Sequence, residues 1–192
     1  MTVLSTPAGS GFGPANLPYG VYSATPDGPR RCATRVGDTV VDLAIALAPT
    51  LPEATRWFAT DALNEFMAAG YDAWARVREL LTEAVLSPLP DEALFPAAEV
   101  TMHLPCRIAD YVDFYASEHH ASNLGRLFRP DVADPLLPNW KHLPVGYHGR
   151  SSTIVVSGVD IVRPCGQRKG PADAAPVFGP STRLAIEAEL GF

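Results

Sequence analysis

The chain has 192 residues, 47% hydrophobic and 19% charged, a balance ordinary for a globular protein of one large domain or two small ones. Its formal charge of −6 argues against duplex nucleic acid or an anionic membrane as partner, because phosphate binding needs a basic surface. No stretch is long and apolar enough to span a bilayer, and Met1 to Ala15 lacks the cationic and apolar parts of a secretory signal.

Three well-separated cysteines, Cys32, Cys106 and Cys165, have no CxxC spacing, which argues against a disulfide framework or a zinc site. The expected compartment is reducing, and the expected location cytoplasmic. Nineteen prolines and fifteen glycines without a repeat period point to a turn-rich β architecture.

Short apolar runs alternate with turn signals from Pro18 to Leu47. Pro26-Asp27-Gly28-Pro29 is a strong turn, and Arg35 to Leu43 reads as a hairpin with Gly37-Asp38 at its bend. A helix is expected next. Leu63, Phe66, Met67, Trp74, Val77 and Leu81 recur at helical spacing, Asp61 is placed as N-cap, and Gly70-Tyr71 interrupts the stripe. Such a mixed stripe is read as core and not as a membrane or partner face. Ser87 to Asp91 and Phe95 to Ala98 form a Pro/Ala-rich connection, and a domain boundary is placed between there and Pro105.

Beyond that boundary histidines, aromatics and arginines crowd together, with His119, His120, His142 and His148 between Asp110 and Ser152. Around Asp113-Phe114-Tyr115 an extended backbone projects Asp113 and Tyr115 to one face and turns Phe114 to the core. Ser117 is placed to cap a helix starting at Glu118. As residues alone, His120 is an ordinary histidine near a helix start and His119 its exposed neighbour. Pro138 to Arg150 is too rich in aromatics and cations for a plain linker; it reads equally as an ordered surface loop and as a pocket wall turned by Gly146 and Gly149. Thr153 to Ser157 reads as a buried strand ended by Gly158.

In Leu184 to Leu190 apolar residues alternate with Ala185, Glu187 and Glu189, so a strand would set both carboxylates on one face. Like charges side by side need compensation. A solvated face supplies it most often; a hard divalent cation supplies it better, and oxygen ligands suit Mg²⁺ or Ca²⁺. Asp113 is the natural third donor.

At these residues the chain resembles the fumarylacetoacetate hydrolase family. The likeness begins at Asn16 to Val21 and continues through Leu63-Asn64-Glu65-Phe66-Met67 to Trp74. It then takes in Thr101 to Pro105, Asp110 to Tyr115, and the run from Pro138-Asn139-Trp140 through His142 to Arg150. The resemblance implies a fold that is mainly β with some helix: a small SH3-like β-barrel N-terminal domain over 1–104, then an incomplete mixed β-roll catalytic domain over 105–192. It places Asp113, Glu187 and Glu189 on metal ligands for Mg²⁺ or Ca²⁺ and His120 on the general base. Tyr115, Arg129 and Tyr147 fall on residues that hold the substrate's carboxylate and keto oxygens. The implied reaction cleaves a β-diketo acid, 4-fumarylacetoacetate, to fumarate and acetoacetate in tyrosine and phenylalanine catabolism, in a homodimer when full length. The same resemblance puts further catalytic groups beyond Phe192, so the expectation is a fragment inactive alone. A non-catalytic binding or assembly module is the alternative.

Overall fold

A computed structural model of the protein describes residues 1–186, 188, 189 and 191. The chain divides into two units, 1–156 and 157–192. In the first, five strands make one antiparallel sheet: β1 (Tyr19–Ser23), β2 (Arg31–Val36), β3 (Thr39–Asp42), β4 (Leu94–Pro96) and β5 (Thr101–His103), in the order β4-β3-β2-β1-β5. The sheet curls into a half-barrel, in keeping with the β-rich N-terminal unit expected.

The turns form where the sequence places them. The Gly28 amide donates to the Thr25 carbonyl at 3.0 Å between β1 and β2. Val36 pairs with Thr39 across Gly37-Asp38. Gly37 is required there twice over: its φ is +55°, and a Cβ would lie 2.6 Å from the Ser5 carbonyl oxygen.

Successive residues along the strands point to opposite faces, and both faces are filled. On one, Val21, Cys32, Val36 and Val41 join Leu43, Leu47, Phe58, Phe66, Val77 and Leu81 in the main core. On the other, Tyr22, Ala33 and Val40 pack with Phe95, Ala97 and Val100. Four helices cover the main core: α1 (Leu43–Leu47), α2 (Ala54–Phe58), α3 (Asn64–Ala68) and α4 (Tyr71–Val85).

The interruption expected at Gly70 is present, and three other expectations about these elements need correction. The helical stripe is split at Gly70, whose φ of +86° ends α3 and starts α4. Asp61 caps neither helix; Leu63 precedes α3, and the Asp61 carboxylate instead accepts from Arg107 Nη1 at 2.8 Å. Phe66, Val77 and Leu81 are buried as expected, while Met67 and Trp74 are exposed. The Pro/Ala-rich connection is also more than a connection. Its Leu94–Pro96 pairs with β3 as an edge strand, where a proline's missing donor is tolerated.

One buried carboxylate ties the sheet together. Asp42 is 0% exposed at the end of β3. It accepts from the Tyr22 hydroxyl at 2.9 Å, from Nε and Nη2 of Arg31, and from the Ile45 amide at 3.0 Å as N-cap of α1. Burial, and then the adjacent Asp42 charge, push the Tyr22 phenol far above its ordinary pKa, so it stays a donor.

The rest of the first unit is thinly packed. It holds a two-stranded ribbon, β6 (Val112–Phe114) with β7 (Gly146–His148), and one helix, α5 (Glu118–Phe128). The strand expected at Thr153 to Ser157 is not formed: Ser151–Thr153 is a 3₁₀ turn, and Val155 is exposed. Among the described residues no strand pairs with that segment, and extended backbone without a partner gains no ladder hydrogen bonds.

The second unit contains the ribbon β8 (Cys165–Arg168) and β9 (Val177–Pro180). The strand expected at Leu184 to Leu190 is likewise not formed by the described residues Leu184, Ala185, Ile186, Ala188 and Glu189.

Two outcomes follow from the sheet. Asp42→Ala, which strands Arg31 and leaves the Tyr22 hydroxyl unpaired, is expected to lower stability by on the order of 2–4 kcal/mol, and Tyr22→Phe by about 1–2 kcal/mol, both read from urea unfolding. Burial pushes the Cys32 thiol up to about 11. Iodoacetamide at about pH 8 should therefore label exposed Cys165 and spare Cys32, and native-state labelling of Cys32 would contradict the packing described.

Candidate functional site

The polypeptide leaves the sheet unit held by hydrogen bonds to the start of α3. Asn64, at the start of α3, donates to the Arg107 carbonyl at 3.1 Å and accepts from the Arg107 amide at 2.8 Å. The Leu63 amide donates to the Pro105 carbonyl at 2.8 Å. These bonds, with the Asp61–Arg107 ion pair, fix the direction in which residues 105–110 leave the sheet.

The β6–β7 ribbon comes next, and its register pairs Asp113 with Tyr147. Directly paired residues project to the same face, so these two candidate residues stand side by side. Asp113 and Tyr115 are half-buried and Phe114 is 55% exposed. The expected alternation is present with its sense inverted, because no core lies under Phe114 among the described residues. Gly149 closes the ribbon: its amide donates to the Tyr111 carbonyl at 3.0 Å, and a Cβ there would fall 1.7 Å from Tyr111 Cδ1. His148 Nε2 lies 2.8 Å from Asp110 Oδ1. That histidine, and then the Tyr111 amide, hold the Asp110 carboxyl below the usual carboxylate range.

Ser117 caps α5 as expected, its hydroxyl accepting from the His120 amide at 3.4 Å. His119 and His120 are exposed on its first turn. The inward stripe of the helix is Ala121 and Gly125, not the His120 side. Gly125 sits against Pro135 so closely that a Cβ would lie 2.0 Å from the Pro135 carbonyl oxygen. Arg129 Nη2 donates to that same carbonyl at 2.9 Å, leaving the other guanidinium donors for a ligand.

Where β6 ends lies an open cleft of about 590 Å³, walled by residues of 114–116 and 140–145, Phe114, Tyr115, Trp140, Lys141, His142 and Leu143 among them. Trp140 Nε1 donates to the Tyr115 carbonyl at 3.1 Å, and Lys141 pairs with Glu118 at 3.2 Å. Of the expected site residues, Tyr115 lies on this wall. His142 and His148 were noted among the crowded histidines, whereas Lys141 and the pairing of His148 with Asp110 were not singled out by sequence reasoning. The density of cations and aromatics in 138–150 was the signal that could have found them.

The structure thus pairs Asp113 with Tyr147 across the ribbon and sets Tyr115 on the cleft wall just after β6. Glu187 lies outside the described residues. Glu189 belongs to the 157–192 unit, where it is exposed. Among the described residues no three His, Cys, Asp or Glu side chains group as a metal site.

Comparison with known proteins gives these positions a context. The family model described as "Fumarylacetoacetase N-terminal" matches residues 15–105, which takes in the five-stranded sheet and helices α1–α4. The Caenorhabditis elegans fumarylacetoacetase is 45% identical over 202 residues, covering 98% of this chain and 48% of that protein. This chain belongs to the fumarylacetoacetase family. The Rattus norvegicus fumarylacetoacetase is 40% identical over 100% of this chain and 49% of its own length, and that of Dictyostelium discoideum is 43% identical over 92% and 44%. The chain spans about half the length of the curated fumarylacetoacetases it matches. Likeness across 98–100% of the chain extends past the N-terminal match and through the ribbon, α5 and the cleft.

Gly125→Ala tests whether α5 is placed as described. The intruding methyl meets backbone, which cannot rotate away, so a local loss of about 1–3 kcal/mol is expected, read as faster proteolysis within 129–137 and altered Trp140 fluorescence. Unchanged proteolysis would show that α5 does not rest on Pro135.

Proposed function

We propose that this chain carries the N-terminal domain, over 1–104, and the first part of the catalytic domain, over 105–192, of a hydrolase that cleaves the C–C bond of 4-fumarylacetoacetate to fumarate and acetoacetate. The observation that carries the reading is the pairing of Asp113 with Tyr147, followed at once by a Ser117-capped helix bearing His120, in a chain 40–45% identical to curated fumarylacetoacetases.

The oxygen-only donor set fits a hard cation: the half-buried Asp113 carboxylate, with Glu187 and Glu189, would hold Mg²⁺ or Ca²⁺. Bound there, the ion supplies Lewis-acid polarisation of the diketone oxygens. His120 takes a proton from water at an imidazole nitrogen, acting as general base. The water oxygen joins the carbonyl carbon and becomes a carboxylate oxygen of fumarate. The electrons of the broken C–C bond leave with acetoacetate, which is then protonated at carbon. Tyr115 and Tyr147 donate to the substrate's oxygens. The free donors of Arg129 suit its carboxylate, because a planar fork can hold two oxygens.

The same reading makes the chain inactive by itself, a homodimer subunit when accompanied by the remainder of the enzyme, and cytoplasmic. The exposed apolar side chains of Phe114 and Leu143 on the cleft wall favour the second reading, a non-catalytic binding or assembly module.

Calorimetry with Mg²⁺ and with Ca²⁺ separates the two. Glu187→Ala is expected to weaken binding at least about tenfold relative to the parent chain. Equal affinity in both removes the metal site. Robust turnover of fumarylacetoacetate by the 192-residue chain would refute its inactivity.

A further inference from the structure

A second cavity, of about 320 Å³, has no lining residue in common with the cleft. It forms in the first unit where Arg30, the Asp61-Ala62 loop, residues of 104–108 and the 3₁₀ turn at Ser151–Thr153 meet. Its walls carry the arginines Arg30 and Arg107 and the serines Ser151 and Ser152. Among the described residues Asp61 is their only acid. In a chain of formal charge −6 this is a local reversal of sign.

The polar groups are placed by the fold. Carried back one residue from β2, strand alternation sends Arg30 away from the side on which Arg31 meets Asp42. It stands instead with Cys32, whose thiol donates to the Thr60 carbonyl at 3.7 Å, beside the Asp61-Ala62 loop. Arg30 makes no hydrogen bond or ion pair among the described residues. Its charge adds to burial in holding the His103 imidazole below its ordinary range. Arg107 is fixed through its backbone, because Asn64 bonds both its amide and its carbonyl. Its Nη1 donates to Asp61 at 2.8 Å, which occupies the cavity's acid and leaves Nε and Nη2 with donors to spare. The Ser151 and Ser152 hydroxyls are also without partners among the described residues. Buried Ala62 and half-buried Ile154 make part of the wall apolar, where water competes less for a charge.

This set of groups selects the ligand. Two permanent cations repel a metal ion or an amine, and their forked donors match the oxygens of a phosphate or a carboxylate. Serine hydroxyls donate to the same oxygens. The volume lies at the small end of ligand sites. We propose that the cavity between Arg30, Arg107 and Ser151-Ser152 binds a small oxyanion, of the phosphate or carboxylate class. Its walls come from the sheet unit on one side and from the turn after the ribbon on the other, so the bound anion would tie 151–154 to Arg30 and Arg107. The proposal stands apart from the hydrolase reading.

Calorimetric titration of the 192-residue chain with inorganic phosphate, and separately with succinate, tests it at an ionic strength fixed with sodium chloride. At least one of the two is expected to bind with a low-millimolar or tighter dissociation constant. Phosphate alone assigns the site to a phosphate group, succinate alone to a carboxylate, and both to the shared oxyanion chemistry. Arg30→Gln should weaken binding about tenfold or more. Arg30 has no partner to lose, so this variant should keep the parent's urea midpoint. Arg107→Lys, which keeps the charge and loses the fork, should weaken binding about tenfold. Arg56→Gln removes a cation outside the cavity and should leave binding unchanged. The bound anion should also slow proteolysis within 149–156. Failure of both anions to bind overturns the proposal. So does binding that Arg30→Gln and Arg107→Lys leave intact, or that Arg56→Gln weakens as much as Arg30→Gln, since either marks diffuse charge and not a site.

Discussion

Asp42 has no access to water, so its carboxylate must find every partner inside the protein, and the places where it finds them determine the sheet. The Tyr22 hydroxyl comes from β1, the Arg31 guanidinium from β2 and the Ile45 amide from α1. Tyr22 and Arg31 are themselves paired across the sheet, and Asp42 pairs with Ala33. A one-residue slip of any of these strands would reverse its faces and pull its partner away from the carboxylate. One anion therefore fixes three strands and the start of the first helix. The Tyr22 ring extends the arrangement to β4, its centroid 5.1 Å from that of Phe95.

From this rigid unit the site is reached through backbone bonds and small residues, with little help from apolar burial. Asn64 brackets Arg107 as a strand neighbour would, which transmits the orientation of α3 to the chain leading to Asp110. The ribbon that follows is held by the fit of Gly149 to Tyr111 and by the Asp110–His148 bond. Helix α5 is held by the approach of Gly125 to Pro135. Close backbone approach at two glycines takes the place that large side chains hold in the sheet unit. Glycine at 125 and 149 is thus a steric requirement of the site's scaffold, not a source of flexibility.

What could be read from the sequence follows this division. The hairpin at Gly37-Asp38, the turn after β1 and the Ser117 cap depend on local chemistry, and each forms where its residues specify. The buried positions Phe66, Val77 and Leu81 were legible from helical spacing. Asp61 was misassigned because N-cap reasoning sees one segment, while its partner, Arg107, is 46 residues away. The role of Leu94–Pro96 was hidden because proline obscures an edge strand, whose identity depends on β3. The face of Phe114 was inverted for a related reason. Alternation specifies that two faces differ, but which is covered depends on a neighbour that the period cannot name. The candidate site could be named mainly through resemblance, since no spacing rule links Asp113 to Tyr147 across 33 intervening positions that include a helix and a loop.

The two faces of the ribbon are therefore mechanically linked. Because side chains alternate, the backbone that aims Asp113 and Tyr147 also carries Val112 and Phe114 on its reverse. A binding site has to hold its groups within about 0.5 Å, and residues keep such positions only when neighbouring packing locks them. On an uncovered ribbon that locking is absent, whatever the identity of the residues on its functional face. Covering Val112 and Phe114 would restrain the strand and so steady the opposite face without touching a single functional group. On this reasoning, packing on one face and order on the other are a single property, because both act through the same three-residue strand.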